Sequence, residues 1–120
     1  DSLLVLTADH GEGLMDHGVL FHQQVYEEVV RVPLIVRHPG GARGVRTVAR
    51  AANVDFFPTL AAVAGLPAPA EVDGANLREA DPAGRPLLVT AMTSMDWRAM
   101  GLLWGDHKLI ANCQTPSRPV

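Results

Sequence analysis

The sequence predicts an α/β fold, and three observations carry that expectation. Two short apolar runs, residues 3–6 and 34–36, have the length and branching of buried strands. Leu60, Val63 and Ala64 recur at helical spacing, and residues 23–30 form a second helix-like segment. Three further strand-like runs then crowd into residues 86–110. At 120 residues there is room for one domain of ordinary size, and a hydrophobic content of 48% is normal for a globular protein.

The first run, residues 2–6, is almost entirely apolar and reads as a central parallel strand covered on both faces. It stops at Thr7-Ala8, and Asp9-His10-Gly11-Glu12 follows at once. An acid and an imidazole released into a loop by a glycine at the carboxyl end of a strand can turn toward one point, which is where open α/β sheets bind ligands. Asp9 and His10 make an O,N pair suited to a divalent cation, and His22 is placed to face an anion held there. A polar turn with solvated histidines would use the same residue types. With four such groups after one strand, His17 included, both readings stand.

Residues 23–30 read as one or two helical turns, ended by Pro33. Glu27 and Glu28 there read as the solvated face of a short helix rather than as catalytic carboxylates. Residues 34–36 are a second buried strand, stopped by Pro39-Gly40-Gly41. Residues 44–52 are irregular or weakly extended; Arg43, Arg46 and Arg50 fit a solvated edge strand better than an anion site. Asp55 is a plausible cap for a helix over residues 56–64 that Gly65 ends, with Phe56 and Phe57 in the core. Residues 67–85 are rich in proline, glycine and acid and read as an exposed loop. The runs 86–90, 100–104 and 107–110 make an antiparallel end sheet, the last two joined by Gly105-Asp106 as a hairpin. Met92, Met95, Trp97 and Met100 fit core packing better than a substrate pocket, and residues 112–120 read as a loose tail.

Composition excludes several classes. A net charge of −3, a pI near 5.9 and scattered basic residues supply no field for nucleic acid or anionic membrane. The single cysteine, Cys113, rules out an internal disulfide. No apolar run approaches the roughly 18 residues of a membrane span. The chain opens with Asp1 at the edge of a strand, and is expected to be a fragment.

The blocks Asp9-His10-Gly11-Glu12, Asp16-His17-Gly18, His22, Tyr26-Glu27-Glu28 and Arg31-Val32-Pro33-Leu34-Ile35-Val36 resemble the second half of a sulfatase, within the wider alkaline-phosphatase-like metalloenzymes. Val54-Asp55-Phe56-Phe57-Pro58-Thr59-Leu60, Ala64-Gly65-Leu66-Pro67, Asp73-Gly74-Ala75-Asn76-Leu77 and Gly105-Asp106-His107-Lys108-Leu109-Ile110 continue the likeness in order, so that it runs nearly end to end. The resemblance implies the C-terminal portion of that fold: part of a central mixed sheet plus a small antiparallel end sheet. It divides residues 1–120 into a metal-site half over 1–66, a loop over 67–85 and the end sheet over 86–112. It implies that Asp9 and His10 ligate the metal and that His22 approaches the sulfate or phosphate oxygens. His17 would assist the leaving group or only brace the loop, and Lys108 would reach the anion or stand solvated.

Sulfatases take their nucleophile from the cysteine of Cys-x-Pro-x-Arg, oxidised to formylglycine. In Cys113-Gln114-Thr115-Pro116-Ser117-Arg118 the proline comes three residues after the cysteine instead of two, and the block follows the DHG turn rather than preceding it. The match is chance, and the nucleophile and the family's early metal aspartates are expected upstream. The implied activity is hydrolysis of small-molecule or glycan sulfate esters with a divalent metal, calcium first, the fragment alone being inactive. A phosphodiesterase, phosphonate monoester hydrolase or phosphoethanolamine transferase, with manganese or zinc, would share most of these residues. A non-catalytic sulfatase-like domain is the third reading.

Overall fold

A computed structural model describes residues 2–18, 20–67, 70–79, 84–92 and 97–114, the side chains at 92, 97, 98, 113 and 114 excepted. The elements are β1 (Leu4–Thr7), a 3₁₀ turn (Asp16–Gly18), α1 (Glu27–Val30), β2 (Leu34–Arg37), a second 3₁₀ turn (Asn53–Asp55), α2 (Phe56–Val63), β3 (Leu87–Met92), β4 (Trp97–Trp104) and β5 (His107–Gln114). They build a two-stranded sheet, β1–β2, and a three-stranded sheet ordered β3–β4–β5.

Both early apolar runs become strands, but β1 pairs antiparallel with β2, Leu4 opposite Arg37 and Thr7 opposite Leu34. The expected parallel partner is absent among the described residues. The cause lies in the connection. A parallel pair needs a long crossover, usually a full helix, whereas residues 8–33 hold only a 3₁₀ turn and the single turn of α1. The helix expected over residues 23–30 shrinks to Glu27–Val30. Gln24 and Val25 turn inward instead, Val25 to 2% exposure. Val25 packs where β4 has Gly101, whose missing side chain leaves room for it. Tertiary burial here overrides helix propensity.

The register sorts β1 and β2 into two faces. Leu3, Val5, Leu34 and Val36 turn toward Leu60 and Val63 of α2 across an apolar cavity of about 280 Å³. Leu4, Leu6 and Ile35 point the other way and stand 52%, 51% and 58% exposed. The accessible surface of 9562 Å² compares with about 6,300 Å² for a closed monomer of this mass. The radius of gyration of 17.0 Å compares with about 13.6 Å for a compact domain of this length. The core is therefore small: Val25, Val29, Ala61 and Ala91 are its buried apolar side chains among the described residues. Phe57, expected inside, is 58% exposed.

Asp55 does precede α2, but its side chain makes no cap bond to the helix. Its backbone is already helical, at φ −78° and ψ −17°, where an N-cap residue is extended. The carboxylate instead accepts N–H bonds from Ala52 (2.7 Å) and Ala75 (2.8 Å) and a two-pronged bond from Arg85 (2.8 and 2.5 Å), with no exposure to solvent. Residues 75–77, expected in an exposed loop, are thus strapped to α2, and the Leu77 N–H adds a 3.0 Å bond to the Thr59 hydroxyl. At the far end Gly65, at φ +69°, closes the helix as expected. Leu66 N–H reaches Ala61 O and Gly65 N–H reaches Ala62 O, the paired bonds of a Schellman motif.

The end sheet matches its expectation: β3, β4 and β5 are antiparallel, and Gly105-Asp106 turns β4 into β5. β5 runs further than expected, pairing Asn112 with Ala99 and Cys113 with Arg98. The rest of the predicted tail, and Met95, lie outside the described residues. Met100 is 39% exposed.

Because one face of β1–β2 is uncovered, the 120-residue chain alone is expected to bind a hydrophobic dye and to melt without a sharp transition. A single cooperative melt with no dye binding would show that it is an independent domain. Asp55→Ala strips four donors of their acceptor and is expected to cost about 3 kcal/mol locally, the lower end for breaking a buried pair. Limited proteolysis at residues 70–79 should accelerate accordingly. Burial pushes the Asp55 carboxyl up, but Arg85 and the Ala52 and Ala75 N–H groups outweigh it and hold the pKa below 3.8. A carboxyl with a depressed folded pKa stabilises above its unfolded pKa, so protection should persist at neutral pH and fail only as pH drops below about 4. Unchanged cleavage in either experiment would remove the clamp from the account.

Candidate functional site

β1 delivers Asp9 and His10 at its carboxyl end, and two anchors outside the strand hold them there. The Asn53 amide donates to the Asp9 carbonyl oxygen (3.1 Å) and lies 3.5 Å from that of Ala8. The Gly11 N–H donates to Val29 O in α1 at 2.7 Å. That approach is possible only for glycine, since a Cβ at position 11 would stand 2.0 Å from the Glu28 carbonyl oxygen. Asn53 was not singled out in the sequence. Its one signal was its place just before the Val54-Asp55 block.

The Asp9 side chain is 88% exposed, with Oδ2 3.7 Å from His10 Nε2. Its carboxyl sits below the usual range chiefly because Oδ1 accepts the His10 backbone N–H at 2.9 Å, with the His10 ring adding to the effect. The carboxylate is therefore ionised and open to a ligand. His10 Nδ1 donates to Gly11 O at 2.8 Å, which leaves the Nε2 lone pair free in the neutral ring. The ring stacks on His22, centroids 4.1 Å apart and planes 26° from parallel. His22 Nδ1 meets Glu12 Oε1 at 2.7 Å. His10, Glu12 and His22 offer three ligand atoms within 4.8 Å of one another, a grouping that includes Glu12, which the sequence analysis gave no role. It leaves out Asp9.

His17 occupies a second station. Its ring stacks on Tyr26 at 4.0 Å and only 8° from parallel, and Nδ1 lies 3.0 Å from Glu28 Oε1. Leu14, Met15 and His17 all have positive φ, at 43°, 74° and 53°. Such backbone costs of order 1–3 kcal/mol per non-glycine residue and clusters at functional sites. Glu28 corrects the expectation of a solvated face, for its side chain is only 18% exposed. Glu27 is 55% exposed, yet it accepts Lys108 Nζ at 2.8 Å. Lys108, 16% exposed, is thereby paired rather than solvated. With Asp9, His10 and His22 it lines one open groove of about 2230 Å³. Arg43, Arg46 and Arg50 line the same groove, on a stretch with no strand, so the expected edge-strand role does not apply.

A carboxylate, an imidazole stack and a lysine thus line one groove. Residues 1–66, which hold every one of these groups except Lys108, match the Sulfatase family. An N-acetylglucosamine-6-O-sulfatase from Bacteroides thetaiotaomicron is 36% identical over 100 residues, covering 82% of this chain and 17% of that protein. Human arylsulfatase K is 32% identical over 76 residues, 63% of this chain and 14% of the relative. A putative extracellular sulfatase Sulf-1 homolog from Caenorhabditis elegans is 40% identical over 76 residues, 62% of this chain and 11% of the relative. The chain belongs to the sulfatase family. It spans about a sixth of the length of the first of these relatives, and no solved structure matches it.

Gly11→Ala is expected to push the Asp9-His10 turn off α1. The amide at position 11 would lose its 2.7 Å bond to Val29 and exchange hydrogen at least about tenfold faster, the equivalent of one lost hydrogen bond. Protection equal to that of the unaltered chain would show that the turn does not depend on this contact.

Proposed function

We propose that this chain forms the metal-and-anion half of a sulfatase active site, hydrolysing a small-molecule or glycan sulfate ester with a nucleophile supplied from outside residues 1–120. The observation that carries this reading is the convergence of Asp9, His10 and His22 on one groove, within the segment that matches the family. In the same reading the chain is the C-terminal portion of an alkaline-phosphatase-like fold. Its metal-site half spans residues 1–66, the loop 67–85 and the end sheet 86–112, and β1–β2 belongs to a larger mixed sheet.

A divalent cation fits the first pair. Asp9 Oδ2 and His10 Nε2, 3.7 Å apart, lie within the span of two bonds of about 2.4 Å to one ion. Calcium is the proposed occupant, with further oxygen ligands from outside this chain. When bound, the cation would neutralise charge on the ester oxygens and favour the ionised nucleophile. The residues of the chain then divide the work. Asp9 and His10 hold the ion. His22, its Nδ1 on Glu12, presents Nε2 to a sulfuryl oxygen, and its protonated form donates there. His17 gives a proton to the departing alcohol. Lys108 contacts the substrate by exchanging Glu27 for the anion.

One observation favours a second reading. His10, Glu12 and His22 together offer two nitrogens and one oxygen, a set better suited to zinc or manganese than to calcium. That preference would accompany a phosphoester substrate.

The test uses the intact protein with metal content measured alongside kcat/KM. Asp9→Ala is expected to lose the metal and more than about 10³-fold in activity, in keeping with several kcal/mol of charge stabilisation. His17→Ala is expected to keep the metal and to lose about 10²-fold, the lower end for a general acid. Equal or reversed losses would show that the assignment is wrong. Bound calcium with turnover of sulfate esters supports the first reading, and bound zinc or manganese with turnover of phosphate esters supports the second.

A further inference from the structure

We propose that Glu28 is a positioning residue for His17, holding its ring in the Nδ1–H form so that Nε2 faces the leaving alcohol. The inference rests on the reading of His17 as the leaving-group acid, and it adds a residue that the family blocks leave without a role.

Three contacts argue for it. A carboxylate only accepts, so the 3.0 Å contact between Glu28 Oε1 and His17 Nδ1 requires the proton on Nδ1. The Tyr26 face, 4.0 Å away and 8° from parallel, fixes the plane of the ring. The hydrogen bond and the stack together define the direction of Nε2. The Gln24 amide donates to the same Glu28 oxygen at 3.5 Å. Glu28 is also well suited to stay ionised. Its carboxyl lies below the usual range, first through its own backbone N–H, against a smaller effect of burial, and then through His17.

Stability alone does not account for the arrangement. His17 is 54% exposed, and exposed pairs contribute little to folding. Yet the chain places this residue in the left-handed region, at φ 53°, where a glycine would sit without strain. A contact that stabilises little, kept at a strained residue, fits a requirement for direction.

In the reaction, the S–O bond to the alcohol breaks as the sulfuryl group passes to the ionised hydroxyl of the nucleophile. The alcohol oxygen takes the proton from Nε2 of the imidazolium, and the neutral ring keeps Nδ1–H on Glu28. The active form is the imidazolium. The other charged or titratable groups about the pair are Asp16, next in the chain; Tyr26; and Lys108, whose charge reaches Glu28 from beside Glu27.

The experiment compares Glu28→Gln and His17→Ala with the unaltered intact protein, on an alkyl sulfate and on 4-nitrophenyl sulfate, whose leaving group needs no proton. Glu28→Gln is expected to lower kcat for the alkyl ester about tenfold or more with KM unchanged. It should leave the nitrophenyl ester nearly unaffected. Equal losses on both esters overturn the inference. His17→Ala slowing both esters alike would instead overturn the leaving-group reading. ¹⁵N spectra separate the two failures. His17 protonated at Nδ1, shifting toward Nε2–H in Glu28→Ala, supports positioning by Glu28, and an unchanged tautomer overturns it whatever the kinetics.

Discussion

A single buried carboxylate organises the described part of the molecule. Asp55 has no contact with solvent and collects donors from the residues before α2, from the strap at Ala75 and from Arg85 near the start of β3. A charge taken out of water is costly, and it is tolerable here because both oxygens are met by donors, one of them a guanidinium. The consequence reaches the Asp9-His10 turn. Asn53 sits two residues earlier, in the same 3₁₀ turn, and its amide holds the Asp9 carbonyl. The direction of the candidate metal ligand thus depends on a charge 46 residues further along the chain, through a turn whose shape that charge sets.

α1 is the second organiser, although it is only four residues long. Three of its four residues take different tasks. The Val29 carbonyl receives Gly11, Glu28 receives His17, and Glu27 receives Lys108. One turn of helix therefore joins the Asp9-His10 turn, the strained histidine turn and the end sheet. Val29 is buried at 4% exposure, and Val25, two residues before α1, packs against Gly101 of β4.

The sequence was most legible where local chemistry decides the outcome. The apolar runs became β1 and β2, Gly65 closed α2, and Gly105-Asp106 turned the last hairpin, because each is settled by neighbouring residues. Asp9, His10 and His22 were legible by type and order, and they do gather around one groove. What stayed hidden was decided by distant partners. Asp55 looks like a helix cap until Arg85, thirty residues later, claims it. Glu28 looks like a solvated acid because nothing near it in sequence announces His17, and Lys108 looks free because Glu27 lies far upstream. The orientation of β1 was missed for a related reason. Its apolar pattern states that both faces want cover but not which neighbour supplies it, and in the described residues Leu4, Leu6 and Ile35 remain open. That open face is in keeping with the proposal of a larger mixed sheet.

The bond between Lys108 and Glu27 also bears on the order in which the molecule assembles. It spans 81 residues, against 11 for His17 and Glu28. Closing the longer loop costs about 1.8 kcal/mol more chain entropy on a logarithmic scale. The histidine turn and α1 can therefore meet early, while the chain is still being made. The groove acquires its lysine wall only after β5 has emerged, so the turn that carries Asp9 and His10 can settle before Lys108 arrives.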